Sequence, residues 1–150
     1  MSDAKQYCTF YLDGLFFGVD VLSVQEVIKF QDMTNVPLAS KVVQGLINLR
    51  GQIVTAIDLR RRLELNERSP DQEPMNVVIR TDDGAVSLLV DEIGDVIEVT
   101  DDTLESPPNT VKGAARELIC GVHKLEGCLL LILDTEKAIT VHHALAGVGE

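Results

Sequence analysis

The side chains able to do chemistry in this chain of 150 residues are few and poorly spaced for it. Of three histidines, His123 falls in a strand expected over Ile119 to Leu125 and reads as a partly exposed strand residue rather than a general base. His142-His143 are neighbours whose rings would point apart on a helix, which does not make a metal site. Cys8, Cys120 and Cys128 contain no C-x-x-C and cannot all pair, so they read as small core residues in a reducing compartment. Asp82-Asp83 and Asp101-Asp102 have the character of turn and cap residues, and Asp58 and Asp134 end equivalent strands where they can cap the next helical turn. The chain holds none of the patterns G-x-S-x-G, H-E-x-x-H, G-x-x-x-x-G-K-S/T or G-x-G-x-x-G, and Gly14 with Gly18 suit a hairpin better than a phosphate loop. No enzymatic activity, metal or cofactor is expected.

Two charges in apolar surroundings remain. Asn48-Leu49-Arg50-Gly51 sets Arg50 at a tight turn between two apolar strands, where a guanidinium can bind a carboxylate bidentately or anchor an interface. Its counterpart in a second copy of the motif is Glu126, of opposite sign, so the architecture does not require Arg50. An exposed turn residue chosen for solubility would look the same. Glu26, beside Val24, Val27 and Ile28, is either a second binding residue or part of a solvated helix face.

The elements that must hold these residues repeat. Gly45-Leu46-x-x-Leu49-x-Gly51-x-Ile53-x-x-x-Ile57-Asp58 returns 76 positions later (45 to 121) as Gly121-Val122-x-x-Leu125-x-Gly127-x-Leu129-x-x-x-Leu133-Asp134. Upstream, Tyr7 to Phe10, Asp13-Gly14 and Phe16 to Asp20 are echoed by Val77 to Thr81, Asp83-Gly84 and Val86 to Asp91, and Val24-Gln25-Glu26-Val27 by Val96-Ile97-Glu98-Val99. Asp-Gly between β-branched and aromatic runs signals a hairpin, and further hairpins turn at Arg50-Gly51 and Glu126-Gly127. Short helices are expected over Val21 to Ile28 with Asp20 as cap, over Leu38 to Gln44, over Leu59 to Leu63, and in the tail from Val141 to Glu150. The chain reads as one domain over residues 1–150, mainly β: two small barrel half-domains, about 5–63 and 75–139, joined by the linker Glu64 to Pro74.

Composition narrows the function. The formal charge is −11, from 24 Asp and Glu against 13 Lys and Arg, and Thr81 to Val111 holds nine acids without a Lys or Arg. Nucleic acid needs a clustered basic face and stacking platforms, and this chain is acidic with 4% aromatics. Arg60-Arg61-Arg62, with Arg50 and Arg68, is the one local exception and could form a basic patch. The longest apolar runs fall well short of the ~18 residues of a membrane span, and Met1 to Lys5 leads into no signal core, so a cytoplasmic protein is expected.

The run from Gly18 to Ile28, with its Val24-Gln25-Glu26, followed by Gly45 to Arg60, with its Asn48-Leu49-Arg50-Gly51, is similar to the CheW family of bacterial chemotaxis adaptors. Val90-Asp91 and Gly121 to Leu133 match the family's second half, and the resemblance spans about Lys5 to Ile139. It implies two five-stranded β-barrels around a shared apolar seam. It also implies a stand-alone adaptor, monomeric when free, that links the cytoplasmic tips of methyl-accepting chemotaxis receptors to the regulatory domain of the histidine kinase CheA and is recruited to membrane-associated arrays. Within the matching motifs Val24, Glu26, Gly45 and Arg50 fall on positions the family uses in receptor binding and array assembly, with Glu26 and Arg50 as a pair that can bridge. Val27, Asn48, Leu49 and Gly51 beside them are expected to contact partners as well. Ser40 stands where many members have a second proline, and Thr55 where many have proline. An adaptor of a non-flagellar chemosensory system, for surface motility or gene regulation, would share every one of these features. A small hydrolase or ligand sensor would instead need convergent polar groups with perturbed pKa values in one cleft, where an adaptor presents an open, mainly apolar groove.

Overall fold

The structure, a computed structural model, describes residues 4–37, 40–82, 84–107 and 113–139. Its elements run β1 (Lys5–Leu12), β2 (Leu15–Asp20), β3 (Val24–Ile28), β4 (Val43–Leu49), β5 (Gln52–Asp58), the one-turn helix α1 (Leu59–Arg62), β6 (Met75–Thr81) and β7 (Gly84–Val90). Then follow β8 (Glu92–Val99), β9 (Leu104–Glu105), α2 (Gly113–Leu118), β10 (Ile119–Leu125) and β11 (Cys128–Leu133), with residues 135–139 helical. Asp13 and Gly14 both take positive φ, 50° and 79°, the two-residue turn that suits strand twist, and close the β1–β2 hairpin. Asp58 caps α1 through Arg60 N at 3.1 Å, and Asp134 accepts from Lys137 N at 3.1 Å.

Two segments expected to be helical are not. Val21–Ser23 makes one turn of 3-10 helix, capped by Asp20 accepting from Leu22 N at 2.9 Å, and Val24 to Ile28 then pairs with β6 as a strand. The cause is a bulge: pairing steps from Val24↔Ile79 to Glu26↔Val78, so Gln25 is an extra residue. Val24 and Val27 therefore both pack on the main core, and a helix-like spacing arises on a strand. Beyond residues 38–39, which are not described, the segment expected to be a helix over Leu38 to Gln44 passes through a turn at 41–42 into β4. The expected tail helix with His142 and His143 lies outside the described residues.

The strands form two sheets, ordered β8-β1-β2-β11-β10-β9 and β3-β6-β7-β5-β4. Each draws strands from both sides of the linker. The hairpin β1–β2 joins β8 on one flank and, in parallel, β11 on the other, while β6–β7 joins β3 and, in parallel, β5. The repeat survives in the pairing. Val43↔Ile57 through Leu49↔Gln52 recurs pair by pair 76 positions on (43 to 119) as Ile119↔Leu133 through Leu125↔Cys128, bulge included. The upstream strands match at an offset of 69 (24 to 93), since Val24↔Ile79 corresponds to Ile93↔Phe10 and Val27↔Val77 to Val96↔Cys8. Val24 thus corresponds to Ile93 and Glu26 to Asp95, a three-residue correction to the pairing of Val24 with Val96 read from the repeat pattern.

The mainly β architecture of two sheets with few short helices is the one expected, and among the described residues neither ladder closes into a ring. Among the described residues, the segment that crosses from β3 to β4 adds a single bridge, Thr34↔Leu46, and the one from β8 to β10 adds the two residues of β9. Glycines admit these crossings. A Cβ on Gly45 would lie 2.8 Å from the Thr34 carbonyl oxygen, and one on Gly121 3.2 Å from Leu104 Cδ1.

Three apolar clusters follow from this layout. The largest draws Phe10, Leu12, Phe17 and Leu131 from one sheet and Ile57, Val77, Ile79 and Leu88 from the other, and forms the seam between them. The six-stranded sheet keeps Tyr7, Val99, Leu130 and Ile132 on its far face, and the five-stranded sheet keeps Ile47, Leu49, Val54 and Val78. Cys8 is buried as expected, whereas Cys120 and Cys128 are exposed. His123, expected to be partly exposed, is buried because it occupies the position that Ile47 fills in the other sheet.

Candidate functional site

The bulge at Gln25 turns Glu26 to the face opposite Val24 and Val27, toward the edge where β3 and the β4–β5 hairpin approach one another. On that hairpin Arg50 and Gly51 adopt φ of 54° and 87°, a turn that calls for positive φ at both central residues. Asn48 steadies it, its Oδ1 accepting from Gly51 N at 2.9 Å. Arg50 Nη1 and Nη2 donate to Glu26 Oε2 and Oε1, both at 2.6 Å. This fork joins the two edges of the open sheet. The Arg50 side chain is 71% exposed and that of Glu26 only 17%, so the carboxylate lies beneath and the guanidinium above, with donors left for a second acceptor. The Arg50 hydrogen bond holds the Glu26 carboxyl below its ordinary pKa, and the same bond raises that of Arg50.

The other expected contact residues take different places. Val24 and Val27 are half-buried against the seam, Leu49 is buried in the five-stranded sheet's own cluster, and Asn48 and Gly51 are exposed at the turn. Gly45 is buried under Thr34 and offers no surface of its own. Glu26, Asn48, Arg50 and Gly51 therefore form the accessible group, standing on a base of Val24, Val27 and Leu49. In the second sheet the corresponding positions are Asp95 and Glu126, both acidic, so the clamp is built once in the molecule.

A second charged constellation escaped the sequence. Asp91, at the end of β7, accepts from Arg60 Nε at 2.9 Å and also from Arg60 Nη2, from Arg68 Nε at 3.1 Å, and from Asp13 N at 2.8 Å. Arg68 Nη1 lies 3.6 Å from Asp58 Oδ1, and Arg61 pairs with Glu67 at 3.1 Å. The arginine run is therefore no surface patch: Arg60 and Arg68 are buried, and Arg62 donates to the Ala138 and Lys137 carbonyls. The network ties the β1–β2 turn, the end of β7, α1 and the linker together. Its signals were an aspartate ending an apolar strand and a surplus of arginine within an acidic chain.

Beside it, a cleft of about 780 Å³ opens between the linker and the segment after β3, lined by Phe30, Asp32, Gln44, Arg61, Arg68 and Glu73 among others. Burial pulls the Asp91 carboxyl up, and Arg60, the Asp13 amide and Arg68 together outweigh it and leave the pKa lowered. Those partners occupy the carboxylate, which is arranged to hold the fold and not to exchange a proton with a ligand. Among the described residues no group of three His, Cys, Asp or Glu could hold a metal ion, and no helix is long and apolar enough to cross a membrane.

Comparison with known proteins fits the geometry. A family model described as the CheW-like domain matches residues 6–142. The chain is similar to the chemotaxis protein CheW of Bacillus subtilis, 35% identical over 150 residues covering 100% of this chain and 96% of the relative, and to that of Treponema pallidum, 32% identical over 136 residues covering 88% and 80%. Its fold resembles the crystal structure of the scaffolding protein TtCheW from Thermoanaerobacter tengcongensis, with a TM-score of 0.79 at 26% identity over 88% of this chain and 90% of that one. With a family match over nearly the whole length and relatives above 30% identity, the chain belongs to the family of CheW-like domains.

Proposed function

We propose that this chain couples methyl-accepting chemotaxis receptors to the histidine kinase CheA through the face built around Glu26 and Arg50. Membership of the family makes it a non-enzymatic adaptor of chemotaxis signalling; which surface meets which partner is our reading. The observation that carries it is the Glu26–Arg50 fork. An arginine occupies a left-handed turn position where glycine or asparagine would be less strained, and its charge is oriented by a covered carboxylate while most of the side chain faces water. A guanidinium held so firmly serves an acceptor on another molecule. Val24, Val27, Leu49 and Gly45 fix the platform, and Asn48 and Gly51 complete the surface that a receptor tip would meet.

Coupling requires that the adaptor bind one receptor state more tightly than the other, since a partner with equal affinity for both shifts nothing. In this reading the CheA regulatory domain docks elsewhere on the same chain, and the protein reaches the membrane only through receptor arrays. Binding to receptor cytoplasmic fragments and to CheA, with kinase activity in the reconstituted assembly, tests it in wild type, Arg50→Glu, Glu26→Arg and the double exchange. Each single variant should lose receptor coupling with little change in thermal stability, and the double should recover part of it. Wild-type receptor binding by Arg50→Glu would remove this face from the mechanism.

A further inference from the structure

His123 is an imidazole where the repeat puts an aliphatic side chain. Its counterpart on β4, 76 positions earlier (123 to 47), is Ile47, packed in the five-stranded sheet's own cluster. His123 is 4% exposed, with the Tyr7 ring 5.9 Å away, centroid to centroid. Its Nδ1 lies 2.8 Å from Thr103 Oγ1, and that hydroxyl is 3.3 Å from the Thr100 carbonyl. Whichever of Nδ1 and the hydroxyl donates in this pair, the neutral ring has one nitrogen able to take a second proton.

Thr103 belongs to the short 3-10 turn Asp101–Thr103 that carries the chain from β8, at one edge of the sheet, to β9 at the other. β9 is held by only two residue pairs, Val122↔Glu105 and His123↔Leu104, and the His123 side chain fastens the turn before it to β10. The groups around the ring are few. β9 presents Leu104 and β11 presents Leu130 at the paired positions, β1 presents Tyr7, and the turn presents Asp101. Burial pushes Tyr7 up, so it stays neutral in acid, and Cys120, Asp20 and Asp101 act on it as nearby groups.

We propose that His123 is an acid-operated latch: on protonation its ring leaves the apolar cluster of the six-stranded sheet, drops Thr103, and frees the crossing segment 100–105 from β10. A charge cannot remain buried beside Tyr7 and Leu130 without a partner, and Asp101 is the carboxylate near enough to act on it. The direction is fixed by the ring's surroundings. Burial pushes its pKa below the ordinary 6.5, more than Asp101 pulls it up, so the unfolded or opened segment takes the proton first. The latch is at full strength above about pH 6.5 and weakens as the pH falls through the lower folded value.

Hydrogen exchange, read as protection factors for residues 100–105 and 122–124 between about pH 8 and about pH 5, tests this. Wild type should lose up to roughly ten-fold protection in these segments for each pH unit between the ordinary 6.5 and the lower folded value, and no more beyond it, while β4 and β5 keep theirs. His123→Ile, for which Ile47 is the precedent, should fold and show no such step. Independently of any variant, the ring resonances of wild-type His123 should titrate below 6.5, together with the loss of protection. An equal acid step in His123→Ile, a ring that titrates at 6.5 or above, or a ring that titrates while residues 100–105 stay protected would each overturn the proposal.

Discussion

Asp91→Asn is the most informative single change, because it removes one charge from a buried network and leaves the shape nearly untouched. The side chains of Asp91, Arg60 and Arg68 are 7%, 10% and 8% exposed, and Asp91 is the acceptor on which both arginines converge. Without the anion, two covered guanidinium groups keep Asp58 at 3.6 Å from Arg68 and Asp13 at 3.8 Å from Arg60 as their nearest carboxylates. Removing one partner of a buried ion pair costs about 3–5 kcal/mol, because the surviving charge is left without compensation. At about 2–4 °C per kcal/mol for a chain of this size, Tm should fall by roughly 6–20 °C at neutral pH. The acid limb should change too. Asp91 titrates below its ordinary 3.8 in the folded protein, so its contribution is complete above that value and vanishes as the pH falls through the lower folded one. Asp91→Asn should lack this component. Thermal unfolding followed by circular dichroism from neutral pH downward measures both effects, with Arg50→Glu as a variant that leaves the network intact. A Tm within about 2 °C of wild type would refute the reasoning, because such a shift corresponds to no more than about 1 kcal/mol, the worth of an exposed pair.

Gly45→Ala should destabilise the protein by about 1–3 kcal/mol and displace the segment around Thr34, since the new methyl would sit 2.8 Å from a backbone oxygen; loss of exchange protection at Thr34 and Leu46 reads this out. Residues 1–71 and 72–150, produced separately, should each stay unfolded and regain β structure on mixing, because each sheet needs strands from both pieces. Cooperative unfolding of either piece alone would count against it.

The hairpins were legible because their turns are spelled out locally, Asp13-Gly14 by residue type and Arg50-Gly51 by a glycine between apolar runs. The 76-residue repeat was legible because glycines at bulges and turns and a capping aspartate tolerate few substitutes. β3 was misread for a physical reason: a bulge puts residues three apart on one face, and that spacing is otherwise the mark of a helix. His123 could have been read as buried by following the repeat to Ile47, but its residue type argued for a surface position. The partnership of Arg60, Arg68 and Asp91 depends on elements meeting across the seam, and no local pattern encodes such a meeting. The Glu26–Arg50 pair was accessible only through family resemblance, since its members are 24 positions apart on different edges.

The exchange of strands across the linker also governs how the protein can be made. β2 lies between β1 and β11, and Phe17 meets Leu131. A ribosome must therefore deliver β11 before the first hairpin acquires its second neighbour. Until then β2 keeps an open edge and part of the future seam stays uncovered, the condition in which nascent β proteins associate with one another. Distant parallel pairings of this kind also fold slowly. The acidic stretch from Thr81 to Val111 acquires a purpose at this stage: it takes the growing chain from 9 acids against 8 Lys and Arg at residue 71 to 19 against 9 at residue 111, so copies still awaiting β11 repel one another.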